Sequence, residues 1–157
     1  MANHEEPSRM SRRILRGFDA LRFRAARETA GLTRGDLARL AQVSAAAIAA
    51  WENERNRPQV DSLARAATTL KVEMHDLVVV PDDQRYLSDL RVQRGLTQPQ
   101  LGKLAGVSTT HLGALERGET GLTEAVATRL ATALAVTPVQ VRVAWERARS
   151  RPPGAAP

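Results

Sequence analysis

The sequence predicts an all-α protein built from two tandem copies of one five-helix unit joined by a short linker. Three observations carry that expectation. The segment GLTRGDLARLAQVSAAAIAAWENE from Gly31 recurs as GLTQPQLGKLAGVSTTHLGALERG from Gly95, an ungapped offset of 64 residues with 15 identities over 47 positions. Of the 157 residues 43% are hydrophobic but only 3% aromatic, so the cores must be built from Leu, Val and Ala, which suits small helical units better than sandwiches or barrels. Hydroxyl residues stand where helices would begin, followed by apolar residues at helical spacing.

Taken in order, Ser11 to Leu21 is expected to extend the first helix backward, because Ile14, Phe18, Leu21 and Ala25 lie on one stripe with Arg12, Arg13 and Arg16 flanking it. That helix should end at Gly31, and its counterpart at Gly95, since glycine suits the left-handed position that stops a helix. Thr33 and Thr97 read as N-caps of a second helix, with Leu37/Leu40 or Leu101/Leu104 facing the core. After a three-residue turn, Ser44 or Ser108 caps a third helix whose Ile48/Trp51 or Leu112/Leu115 point inward. A fourth helix ends near Leu70 or Leu134, and a fifth runs through Met74–Val78 or onward from Pro138, the latter a good first helical residue after Thr137. On that last helix Val139, Val143 and Glu146 form one row, and Val141, Trp145 and Ala148 another. The rows read either as a homodimerisation element or as an ordinary final helix, with Arg147, Arg149 and Arg151 serving its dipole and the solvent. With Pro81–Gln84 as the linker, the expected organisation is a disordered 1–10, a first domain 11–80, a second domain 81–151 and a disordered tail 152–157.

Charge divides differently from the repeats. The net +6 is concentrated at the ends: residues 1–27 carry +4 and residues 142–157 carry +3, while 28–80 and 81–141 carry −1 and zero. Of the 23 basic residues only Lys71 and Lys103 are lysine. That bias fits bidentate phosphate contact, and equally a GC-rich genome. The arm around Arg12, Arg13 and Arg16 reads either as a DNA-backbone contact or as a solvated basic face on a helix that packs on the second repeat or on a second protomer. There is no cysteine, which excludes disulfides and thiolate chemistry. No run of about 18 apolar residues suggests a membrane span, and no apolar segment a signal peptide, so a cytoplasmic protein is expected. His4, His75 and His111 are scattered, without metal-ligand spacing, and no P-loop or dinucleotide-binding glycine pattern occurs. Neither catalysis, a cofactor, a metal nor a small-molecule ligand is expected.

Leu96-Thr97-Gln98, Leu101, Leu104-Ala105-Gly106-Val107-Ser108, Leu112 and Leu115-Glu116-Arg117-Gly118 together resemble the helix-turn-helix of the lambda-repressor-like (Xre/Cro-type) family. The resemblance covers roughly residues 19–80 and 83–145. The first copy departs from it with Gln42 and Glu54 where Gly106 and Gly118 stand; a left-handed backbone there costs a non-glycine residue roughly 1 kcal/mol, which predicts a strained or reshaped turn. Arg27 and Glu52 share their spacing of 25 residues with Arg91 and Glu116. The resemblance implies two buried ion pairs, where losing one partner would cost roughly 3–5 kcal/mol.

It also implies a function. In this family the third helix enters the major groove of double-stranded DNA while the start of the second helix meets a phosphate. Carried over, the second copy offers Gln98 to the phosphate, Ser108, Thr109, Thr110, His111 and Ala114 to the base edges, and Arg117 and Thr120 to the backbone. The first copy offers Arg34 and Arg39, the methyl-rich face Ser44, Ala45, Ala46, Ala47 and Ala50, and the loop residues Asn53, Arg55, Asn56 and Arg57. Its methyl groups could touch thymine but make no hydrogen bonds, so one copy is expected to read and the other to grip. The implied function is a sequence-specific, nucleoid-associated transcriptional regulator acting by repression. Two other readings stand beside it: a protein-interaction module, such as an antitoxin or adaptor using its alanine face, and a sequence-tolerant nucleoid-type DNA binder.

Overall fold

Helix starts are written locally in this chain, in side chains that satisfy the free backbone amides of the first turn. The computed structural model describes residues 15–155. Ten α-helices occur among these residues: α1 (Ala20–Thr29), α2 (Arg34–Ala41), α3 (Ala45–Glu52), α4 (Val60–Leu70), α5 (Met74–Leu77), α6 (Leu87–Gln93), α7 (Gln98–Ala105), α8 (Thr109–Glu116), α9 (Glu124–Leu134) and α10 (Pro138–Arg149). A 3-10 turn, Asp82–Gln84, lies between the fifth and sixth. The all-helical, twice-repeated architecture predicted from the sequence is thus observed.

Thr33, Ser44, Thr97 and Ser108 cap their helices as expected, accepting from the backbone N–H three residues on. Gln42 and Gly106 both end their helices in the left-handed region, at φ 57 and 66, and Glu54 takes φ 58 where Gly118 takes 70. The first copy therefore keeps the shape of the turns and accepts the strain.

Each copy has its own core. Phe23, Leu37, Ile48, Trp51, Leu63 and Leu77 centre the first, and Leu87, Leu101, Leu112, Leu115, Leu130 and Val141 the second. On α2 and α7 the buried face is Leu37-Ala38-Ala41 and Leu101-Gly102-Ala105. Leu40 and Leu104, expected to face the core, are instead 50% and 64% exposed. Small residues on the inner face let these short helices lie close to their neighbours, and the leucines are turned outward.

The backward extension of the first helix is also corrected. Asp19 caps α1 at Ala20, and residues 15–18 form a non-helical strap with a turn at Arg16 and Gly17. Phe18 forms an antiparallel bridge with Val78, Val79 N–H donates to the Gly17 carbonyl at 2.9 Å, and Asp19 N–H to that of Leu77 at 2.9 Å. Gly17 is required there twice over: its φ is +82, and a Cβ would lie 2.5 Å from the Val79 oxygen. Leu21 and Ala25, assigned to the inner stripe, are exposed, while Ala20 and Phe23 are buried.

The strap also ties the copies together. Arg16 donates to the Gln84 carbonyl at 2.8 Å, lies 3.6 Å from the Asp89 carboxylate and stacks over Tyr86 at 4.9 Å. Arg151 lies over the same ring at 5.2 Å. Val92 packs against the first core, and a Cβ at Gly95 would stand 3.0 Å from that of Ala64. Burial pushes the Asp89 carboxyl up, against the opposing pull of the Tyr86 amide, Arg16 and Arg85. Residues from the strap, the linker and the end of the chain thus meet at one junction.

Candidate nucleic-acid interface

The third helix of each copy is held from behind by an ion pair. Arg27 Nε donates to Glu52 Oε1 at 2.5 Å and its Nη1 to the Leu32 carbonyl at 2.9 Å; Arg91 repeats the pattern on Glu116 at 2.6 Å and on Leu96 at 2.9 Å. Both carboxylate side chains are fully buried. Each guanidinium fixes the end of one helix to the loop that opens the next.

The first residue of the second helix completes each cluster. Arg34 Nε donates to Glu52 Oε2 at 2.5 Å, and Gln98 Nε2 to Glu116 Oε2 at 2.7 Å. The side chains expected at a phosphate are therefore turned toward the buried carboxylate, which gains a further donor there. Arg34 is bonded through Nε alone and is 38% exposed, so its outer nitrogens still face solvent. Burial pushes the Glu52 carboxyl up, but hydrogen bonds and charge from Arg27 and Arg34 outweigh it and hold the group below its ordinary value.

In front of these anchors, α8 presents Thr109, Thr110 and His111 exposed at its N-terminal end, with Ala114 half-buried. Ser108 is exposed as well, its hydroxyl accepting from His111 N–H at 3.1 Å. On α3 the same face is Ala45 and Ala46, exposed, and Ala47 and Ala50, half-buried; Ser44 accepts from Ala47 N–H at 3.0 Å. The alanine surface is smaller than the sequence suggested, because Ala47 packs against the first core.

The loops after these helices differ. Asn53, Arg55, Asn56 and Arg57 are all exposed. Arg55 and Asn56 N–H groups donate to the Ala50 carbonyl, Asn56 accepts from Arg57 N–H, and Arg57 Nη1 reaches the Leu15 carbonyl of the strap at 3.4 Å. Arg55 has no side-chain partner among the described residues. In the second copy Arg117 pairs with Glu119 at 3.0 Å, and the Thr120 carbonyl accepts from Trp145 Nε1 at 3.0 Å.

Two open alternatives narrow here. Arg16 is engaged at the junction between the copies, not held out as a backbone arm; Arg12 and Arg13 lie outside the described residues. Trp145 is in the second core with Val141 and Ala144, and Ala148 is buried, so one of the two rows on α10 is internal. Val139 and Val143 are exposed at 71% and 46%. No helix among the described residues is long and apolar enough to cross a membrane.

A family model described as "Helix-turn-helix" matches residues 23–77, and another described as "Helix-turn-helix domain" matches residues 85–144. No curated protein matches the sequence. The two matches fall within the α1–α5 and α6–α10 units whose caps and ion pairs are repeated, the second ending at residue 144 inside α10. The chain belongs to the lambda-repressor-like (Xre/Cro-type) helix-turn-helix family of DNA-binding regulators, which it carries in two tandem copies.

Proposed function

We propose that the protein is a sequence-specific regulator of double-stranded DNA in which α8 reads bases and the first copy grips the backbone. The observation that carries this reading is the chemical difference between two equivalent helix faces. Thr109, Thr110 and His111 bring hydroxyls and an imidazole to the exposed end of α8, where α3 has the methyl groups of Ala45 and Ala46. Hydroxyl and imidazole groups discriminate base edges by hydrogen bonding, while a methyl group senses chiefly the thymine methyl. Arg55, exposed beside α3, and Arg34, with its outer nitrogens facing solvent, supply charge for phosphates, which position a protein without specifying sequence.

Repression by covering a promoter follows as the mode of action, because the chain offers binding helices and no segment resembling an acidic activation surface. Two helix-turn-helix units in one chain can act on a bipartite site without a second protomer. A homodimer would have Val139 and Val143 as its exposed apolar pair on α10. The domain limits proposed are 11–80 and 81–151.

Replacing Thr109, Thr110 and His111 together by Ala tests the reading. The variant should lose discrimination between its preferred duplex and random duplexes while keeping the salt dependence of binding. Equal losses on both would remove the reading role and leave a sequence-tolerant binder; no duplex binding by the wild type, with stoichiometric capture of a protein, would support an interaction module instead.

A further inference from the structure

Repeat two has a deficit that repeat one lacks. The loop after α8 holds one cation, Arg117, and its guanidinium is spent on Glu119 and folded over Gly113, where an added Cβ would meet its Nη1 at 3.1 Å. Glu124 follows, and Arg142 pairs with it at 2.8 Å. The loop thus presents no uncompensated positive charge of its own.

α10 lies against this loop at three points. Gly118 meets Arg149, so closely that a Cβ there would stand 2.6 Å from its backbone N. Thr120 receives the Trp145 indole N–H, and the Leu122 carbonyl accepts from Arg142 at 3.3 Å. Arg149 is exposed, lies over Trp145 at 5.3 Å and has no carboxylate partner among the described residues. Among the described residues no helix braces the loop of the first copy in this way: α5 spans four residues and gives way to the isolated bridge at Val78. There the loop carries Arg55 itself, and Glu54 sits where Gly118 must leave room for a helix.

From this we infer that α10 is part of the DNA-binding surface: Arg149, held on the Trp145 ring beside the loop 117–122, is the phosphate contact of the second repeat. The inference rests on the proposed DNA-binding function and adds an element to its surface. A guanidinium stacked on an aromatic face keeps its edge nitrogens available for bidentate phosphate contact, and the stacking limits the rotamer freedom lost on binding.

The test is the salt dependence of the full chain's affinity for a labelled random-sequence duplex, measured by fluorescence anisotropy. Arg149→Gln should reduce the slope of log K against log salt by about 0.9, the value of one phosphate contact, as should Arg55→Gln, and the double variant by about twice that. Arg149→Lys should keep the wild-type slope. An R149Q slope equal to the wild type, with R55Q reduced, overturns the inference while leaving DNA binding intact; salt-independent or absent binding by the wild type overturns both. Should R149Q fail to fold, Arg149→Met decides, since it keeps an apolar stem on the Trp145 ring without the charge. Its slope should fall by the same amount, and a wild-type slope overturns the inference.

Discussion

Gly118→Ala puts a single methyl group into the contact that joins the loop after α8 to the end of α10. The new Cβ would lie 2.6 Å from Arg149 N, 2.7 Å from its Cα and 2.8 Å from the Ala148 carbonyl carbon. These are backbone atoms and cannot rotate away, so the last turn of α10 must move. Overpacking of this kind costs roughly 1–3 kcal/mol. The residue also sits at φ +70, where a side chain costs roughly 1–2 kcal/mol more. A loss of about 2–5 kcal/mol is expected, concentrated in the second domain. Glu54→Gly is the natural control: at φ 58 in the first copy it removes strain and should stabilise by about 1 kcal/mol. Urea unfolding followed by tryptophan fluorescence reads both, since each core contains one tryptophan, Trp51 and Trp145. A G118A loss below about 1 kcal/mol would show that α10 does not press on this loop, and the bracing argument would fail.

Leu40→Lys and Leu104→Lys should each leave stability within about 0.5 kcal/mol of wild type, whereas Leu37→Ala or Leu101→Ala should cost about 2–5 kcal/mol by urea titration; equal effects would restore the inner face read from sequence spacing. Glu52→Gln tests the anchor and its pH dependence. The folded-state value of Glu52 lies below its ordinary 4.5, so its stabilisation is complete above that pH and is lost as pH falls through the lower folded value. The urea midpoints of wild type and E52Q should therefore differ at pH 7 and converge in acid; a gap that widens in acid refutes the assignment. Arg16→Ala should leave the salt slope of duplex binding unchanged while loosening the junction, seen as separate unfolding of the two tryptophan environments. A slope reduced by about 1 would return Arg16 to the DNA backbone.

Much of the architecture is legible because it is encoded locally and twice. The threonine and serine caps act on amides three residues away, while the ion pairs Arg27/Glu52 and Arg91/Glu116, each spanning 25 residues, are implied by the family resemblance and by their repetition. What the sequence hides depends on partners distant along the chain. The stripe Ile14–Phe18–Leu21–Ala25 has helical period, yet pairing with Val78 and Val79 draws Gly17 and Phe18 into a non-helical strap, and tertiary contact overrides the period. Leu40 and Leu104 match each other, but identity between copies does not say which side of a short helix is buried. The inward turn of Arg34 and Gln98 had an available signal, since both stand 18 residues before their glutamates. The bracing role of Trp145 had another in the exchange of Glu54 for Gly118, which becomes readable only once α10 is seen to pass there.

The central claim is that the exposed end of α8 reads bases. It is tested most directly by incubating the full chain with a pool of random duplexes and sequencing the retained DNA, for wild type and for the variant with Thr109, Thr110 and His111 replaced by Ala. The wild type should enrich a defined sequence, and the variant should lose preference at the positions α8 reads while retaining duplexes with the same salt dependence. An unenriched wild-type pool, or an unchanged motif from the variant, would contradict the account.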